Sequence, residues 1–319
     1  MANWDRQLLG KIARLYYEDG QTQAQIAERF GISRPIVSRK LAEAREAGIV
    51  KIFIDTGDDG MSDLERRLFS AFRLKGVRVA SVPEEDEALG VQLTAQTGAR
   101  YLSEFLSPGD RIGVGWGWTL YKLSTYLAPV NFQTGLVCQL AGSVDNAMTR
   151  GYANEIVGNL SRRLNAHEAY AFPCPVMVDN VIIADTLRHD LKVQSVLECG
   201  RSCNKLLVNI ALPDKGSCLY QAGYLNDADL AHLEENHAVG SICCRFFDEN
   251  GQTCDHRINE RTMGISIEEI RKAECVMACI TGRRKAKAVY CALRAGLIDV
   301  LVIDSVTAAE VVRLVEAQG

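Results

Sequence analysis

Two groups of residues carry the chemistry that this chain can offer. The first is compact: Arg34, Ser38, Arg39 and Lys40 fall within seven consecutive residues. Guanidinium, hydroxyl and ammonium donors on one helical segment suit phosphate oxygens and the edges of base pairs. The second group is dispersed among three glycine-containing stretches at 113–119, 141–146 and 281–285, and includes Ser143, Asp145, Arg283 and Lys285. Backbone amides freed by glycine, together with small polar side chains and cations, suit a small polar or anionic molecule. Both groups imply recognition, one of a polyanion and the other of a metabolite.

The elements around the first group read as helix, turn, helix. Thr22 is placed to cap a helix whose apolar residues Ile26, Ala27 and Phe30 follow at helical spacing. Gly31 supplies the left-handed residue that stops it. Ser33 is the next cap and Pro35 falls in the first turn of a second helix, where a missing N–H costs nothing. Ile36, Val37, Leu41 and Ala44 form the buried stripe of that helix, leaving Arg34, Ser38, Arg39 and Arg45 outside. Residues 3–19 supply the third helix that such a unit needs for a core. In a helix-turn-helix the N-terminal half of the second helix enters the major groove. The expected DNA-contacting residues are therefore Gln21, Thr22 and Gln23 at the entry to the first helix and Ser33, Arg34, Pro35, Ser38, Arg39 and Lys40 on the second. The competing interpretation is that any amphipathic helix pair has a charged outer face.

Charge supports a local rather than a global affinity for DNA. The 319 residues carry a net charge of −4, yet residues 1–55 hold nine Lys or Arg and seven Asp or Glu, a net of +2, against −6 for the rest. Phosphate neutralisation supplies much of the affinity for DNA, so a unit this weakly basic needs a paired copy, and a homo-oligomer is expected. The eleven cysteines are scattered through apolar runs, and the pairs Cys199/Cys203 and Cys275/Cys279 have no neighbouring pair to complete a tetrahedral site. No metal and no cofactor are expected. No apolar run approaches the length of a membrane span and no signal peptide precedes Trp4, so the reading is a reduced cytoplasm without membrane association.

After a polar, glycine-rich stretch at 56–60 and an amphipathic helix at 61–72, the pattern becomes strands alternating with helices. Apolar runs occur at 77–82, 111–114, 135–140, 168–172, 205–212, 241–247, 275–281 and 300–303. Helical patterns occur at 87–106, 119–127, 147–164, 227–236, 267–273, 285–295 and 307–317. Strands joined by helical crossovers make a Rossmann-like, mainly parallel α/β sheet. The expected organisation is a helix-turn-helix domain at 1–55, a linker and connecting helix at 56–72, and an α/β domain at 73–319 for ligand binding and oligomerisation. In such sheets ligands bind beyond the strand C-termini. Gly115 and Gly117 in the first loop, Gly142, Ser143, Val144 and Asp145 in the second, and Arg283 and Lys285 in the third are the candidate effector contacts. Asp248 joins them as a carboxylate at a strand end that could accept from sugar hydroxyls. Its structural alternative is to start the turn at 248–251.

The helix-turn-helix segment at 22–50, the loop at 112–117, the turn at 222–225, the Phe246–Gly251 run and the Thr281–Lys285 loop followed by 292–304 together resemble the SorC family of bacterial carbohydrate-responsive transcriptional regulators, over nearly the whole chain. The resemblance implies a C-terminal domain similar to sugar-phosphate isomerases and CoA transferases, tetrameric assembly, and operator DNA binding modulated by a sugar or sugar phosphate. It carries ligand contacts onto the Gly142–Asp145 loop, Asp248 and Lys285. The chain departs from the family at Asn209, Ile210 and Ala211, where a glycine-rich stretch is common, and at Trp118, where a polar residue is frequent. The alternative is an isomerase- or deaminase-type enzyme fused to a DNA-binding domain, which needs a positioned acid and base. None of the five histidines lies in the three glycine loops.

Overall fold

The computed structural model describes residues 3–46, 49–50, 62–82, 86–144, 152–254 and 256–317. The expected strand at 48–55, the linker at 56–60, Asp145 and Asn146 lie wholly or largely outside these residues. The chain divides into two compact units, Met1–Gly60 and Met61–Gly319.

The first unit is three helices, α1 (Asn3–Tyr17), α2 (Gln23–Phe30) and α3 (Arg34–Glu46). Its core joins Leu9, Ile12, Ala13 and Leu15 of α1 to Ile26 and Ala27 of α2 and to Val37, Leu41 and Ala44 of α3. Thr22 caps α2 in a reciprocal box: its hydroxyl accepts from the Gln25 amide at 3.3 Å and the Gln25 side chain accepts from the Thr22 amide at 2.9 Å. Gly31 ends α2 in the left-handed conformation at φ 64°, its N–H reaching the Ala27 and Glu28 carbonyls. The turn between α2 and α3 is thus set by two local devices visible in the sequence.

The second unit is built on seven strands: β1 (Gly76–Ala80), β2 (Arg111–Val114), β3 (Leu136–Gln139), β4 (Glu168–Tyr170), β5 (Lys205–Val208), β8 (Cys275–Ile280) and β9 (Val300–Asp304), with β6 (Gly240–Ile242) and β7 (Arg245–Phe247) forming a separate hairpin. The seven lie in the order β1-β9-β8-β5-β2-β3-β4, and every neighbouring pair is parallel. All six residues of β8 and all five of β9 are buried, as expected of central strands covered on both faces. From β2 the chain proceeds through β3 and β4 on one side, then returns to place β5, β8 and β9 on the other. That reversal at β2 and β5 is the topological switch point, where a crevice opens beyond the strand ends.

One apolar run is corrected. Residues 241–247 read as a single strand, but they form the antiparallel β6–β7 hairpin with Ile242 opposite Arg245. Cys243 and Cys244, at φ 49° and 63°, make its two-residue turn. Such turns need positive φ at both positions and normally signal themselves with Asn or Gly, which is why this one was invisible. The sequence pattern also missed four helices, Val181–Arg188, Leu191–Arg201, Cys218–Gln221 and His256–Arg261. The first buries only Ala184, so it has no inward apolar stripe to detect.

Candidate functional site

At the switch point a cavity of about 920 Å³ opens beyond the C-terminal ends of the strands. Its wall draws on the loops after β1 (Val82, Asp86), β2 (Trp116, Gly117), β5 (Asn209 to Leu212, Asp214), β8 (Thr281 to Lys285) and β9 (Asp304, Val306), and on the hairpin tip Cys243–Cys244. The volume lies near the upper end of small-molecule sites and accommodates a phosphorylated monosaccharide.

Five helices begin at this wall: Glu87–Phe105, Trp118–Tyr126, Cys218–Gln221, Ala286–Arg294 and Ser305–Glu316. Three have their first-turn amides satisfied by a capping side chain. Asp86 accepts from Leu89, Ser217 from Tyr220, and Asp304 from Thr307. The other two, opened by Gly117 and by the Gly282–Lys285 segment, carry no side-chain cap. Uncapped helix starts leave donors and a positive dipole end for an external acceptor. The two uncapped starts belong to the first and third glycine loops.

Lys285 stands in the third loop. Its ammonium group makes no ion pair or hydrogen bond with any described residue, whereas its neighbours are engaged: Arg283 with Glu310 at 3.4 Å and Arg284 with Asp214 at 2.8 Å. Burial lowers the Lys285 pKa, opposed by the negative charges of Glu87 and Asp214. A desolvated cation without a contact partner is costly unless something negative joins it. The Gly282 amide is already committed, donating to Asp304 at 3.2 Å and to Thr307 at 3.1 Å.

Gly117 has φ 138°, and a Cβ there would lie 2.6 Å from the Asn209 side-chain nitrogen. Glycine therefore brings the loop backbone against Asn209, whose own amide bonds to no other described residue and lines the cavity. Gly115 lies behind the wall, its N–H on the Leu207 carbonyl at 2.9 Å.

The second loop plays a different part. Among its described residues, Gly142, Ser143 and Val144 do not line the cavity. The Gly142 carbonyl accepts from the buried Trp116 indole at 2.8 Å, which fixes one wall from behind. Ser143 accepts from Gln139 at 3.0 Å, and Val144 packs on the core. Asp248 is also outside the cavity; its carboxylate accepts the amides of Asn250 and Gln252, both at 2.9 Å, in the turn that was its structural alternative. Sequence reasoning passed over Glu87, Asp214, Ser217 and Asp304. The last two are N-caps directly after loops or strands, a signal that could have found them.

In the first unit, Arg34, Ser38 and Arg39 are exposed on α3 together with Ser33 and Pro35. Lys40 is half-buried and bonded to Glu43 at 2.7 Å, with Arg39 3.6 Å from the same carboxylate. Thr22 is exposed and Gln21 and Gln23 are half-buried at the start of α2.

Comparison with known proteins decides the family. A model described as a putative sugar-binding domain matches residues 59–313. The deoxyribonucleoside regulator of Bacillus subtilis is 32% identical over 95% of this chain and 96% of its own length. The sorbitol operon regulator of Klebsiella pneumoniae is 30% identical over 95% and 97%. The chain belongs to the SorC family of sugar-responsive transcriptional regulators. The full-length structure of the Klebsiella regulator superposes with a TM-score of 0.74, covering 96% of this chain and 98% of that one. The match thus spans both units, the helices and the α/β unit, of proteins named for transcriptional control. No helix among the described residues is long and apolar enough to cross a membrane.

Proposed function

We propose that this regulator binds a sugar phosphate, or a sugar bearing another anionic group, in the switch-point cavity and thereby alters the affinity of paired α3 helices for operator DNA in the cytoplasm. The observation that carries the reading is Lys285, a desolvated cation without a contact partner at one uncapped helix start, which shares its cavity with a second. An anionic group there would take up the free amides and the ammonium together, while Asn209 and Asp214 offer hydrogen bonds to hydroxyls. Coupling to DNA follows if the effector binds one arrangement of the assembled copies better than another. Among the described residues the cavity wall contains no histidine, and four of its five carboxylates, Asp86, Asp214, Asp304 and Glu310, are engaged in ion pairs or caps, leaving Glu87 without the paired acid and base that turnover needs. Two copies at least are needed, because half-sites are read in pairs.

The test is a panel of sugars and sugar phosphates scored by thermal shift and by release or capture of a labelled operator duplex. A phosphorylated sugar should raise the melting temperature and change operator affinity. Lys285→Met should weaken that ligand roughly tenfold to a hundredfold, as expected for a charge-assisted contact. Because burial depresses the Lys285 pKa in the free protein, an anion that restores it binds with proton uptake. Once the phosphate is fully ionised, above a pH of about 6, affinity should fall as pH rises through the window from the free-state to the bound-state pKa of Lys285, a dependence absent in Lys285→Met. A regulator whose stability and operator affinity respond to no member of the panel would sink the reading.

A further inference from the structure

Trp118 opens the helix Trp118–Tyr126 and lines the switch-point cavity. Its ring fronts a small aromatic group: Tyr121 stacks on it at 5.5 Å between centroids and 21° between planes, and Tyr152 lies at 5.5 Å and 39°. The two tyrosines stack on each other at 4.2 Å and pack against the core of the α/β unit, which backs the group. Lys122 adds a cation–π contact, its ammonium 4.7 Å from the Trp118 centroid. Aromatic side chains held in this way suit the face or edge of another planar ring.

Strand order arranges three kinds of contact across the cavity. The adjacent strands β8, β5 and β2 end in loops that carry, in that order, the cation Lys285, the hydrogen-bonding Asn209 and Asp214, and the ring of Trp118. Neighbouring strands lie about 5 Å apart, so two spacings, about 10 Å, separate the loop of the cation from the loop of the ring. The polar groups stand between them. A monosaccharide phosphate is smaller than the drug-sized molecules that fill a cavity of about 920 Å³. It satisfies the first two kinds of contact and leaves the third unused.

We propose that the effector is a sugar phosphate that carries a planar aromatic group, with its phosphate at Lys285, its hydroxyls at Asn209 and Asp214, and its ring against Trp118. Nucleoside monophosphates and phosphorylated aryl glycosides share this plan, an anion and an aromatic ring attached to opposite ends of one sugar. The inference rests on the proposed effector site and adds the class of molecule that fills it.

Calorimetric titration of the full chain tests it with matched compounds: pentose phosphates beside the nucleoside monophosphates built on them, and hexose phosphates beside their nitrophenyl glycosides. At least one aromatic compound should bind roughly fivefold to a hundredfold more tightly than its plain parent, the range for stacking one ring on an aromatic side chain. Which pair shows the larger ratio identifies the source of the ring. In Trp118→Ser that ratio should fall to near one, whereas Trp118→Phe, which keeps a ring, should retain much of it. If serine prevents folding, Trp118→Leu removes the aromatic face while keeping apolar bulk, with the same expectation. Equal affinity for plain and aromatic compounds in the natural protein overturns the inference and leaves the effector site standing. So does a ratio that survives Trp118→Ser, because Trp118 would then serve the sugar or the scaffold alone. A natural protein that binds no compound of either kind sinks the effector site itself, and this inference with it.

Discussion

The two recognition regions of this regulator treat their cations in opposite ways. On α3, Arg39 and Lys40 share Glu43 at 3.6 and 2.7 Å, on a surface where such pairs are worth a few tenths of a kcal/mol to about 1 kcal/mol. Those contacts exchange cheaply for phosphate. In the α/β cavity Lys285 is desolvated with no bonded carboxylate, while the arginines on either side of its loop are paired. A polyanion of high charge density can be met by solvated groups that let go of local partners. A small effector must instead be met by a group that the fold holds ready, at a cost in stability that binding offsets.

The largest expected effect breaks the comparison at its first half. Replacing Arg34 and Arg39 together with alanine should lower operator affinity by roughly a hundredfold or more, taking about 1–3 kcal/mol for each base or phosphate contact. The effector-induced thermal shift should be unchanged. Fluorescence anisotropy with a labelled duplex gives the first quantity, and the slope of affinity against salt distinguishes base from phosphate contacts. Retained affinity would mean that α3 does not face DNA.

The same contrast explains what was legible in the sequence. The helix-turn-helix is written locally: a capping box between Thr22 and Gln25, a left-handed Gly31 and the stripe Val37, Leu41 and Ala44 are all within reach of one another in the chain. Seven of the eight apolar runs became the seven parallel strands, most plainly β3, β8 and β9, where burial on both faces leaves continuous hydrophobic segments, whereas the edge strand β4 is largely exposed. The cavity is assembled across residues 82 to 310, so its membership depends on strand order, which no local pattern states. The glycine loops announced themselves, but Asp214 and Glu87 enter only because distant loops converge. Asp248 and Ser143 look identical to ligand contacts in sequence, and only the structure finds them bonded inside their own turn and loop.

Gly142 sharpens the second half of the comparison. A Cβ at this position would lie 2.4 Å from the Pro175 carbonyl oxygen and 2.7 Å from the Val176 Cα, both backbone atoms that cannot swing aside. Gly142→Ala should therefore destabilise the α/β unit by about 1–3 kcal/mol, the usual range for overpacking. It should also loosen the hydrogen bond that anchors Trp116 in the cavity wall. Chemical denaturation followed by Trp fluorescence measures the loss. If the variant is as stable as the natural protein but no longer responds to effector, Gly142 acts on the ligand directly rather than through Trp116.

The smallest effect separates support from contact at Thr22. Removing its hydroxyl with Thr22→Ala takes away the N-cap of α2 and should cost about 1 kcal/mol of local stability, read as faster hydrogen exchange of the α2 amides in the full chain. Thr22→Asp keeps a capping oxygen and adds a favourable charge at the helix start, so exchange should remain slow. That same charge would repel a nearby phosphate and weaken operator binding severalfold. Slow exchange with undiminished DNA affinity in Thr22→Asp would assign Thr22 to the scaffold alone, confining DNA contact to the exposed side chains of α3.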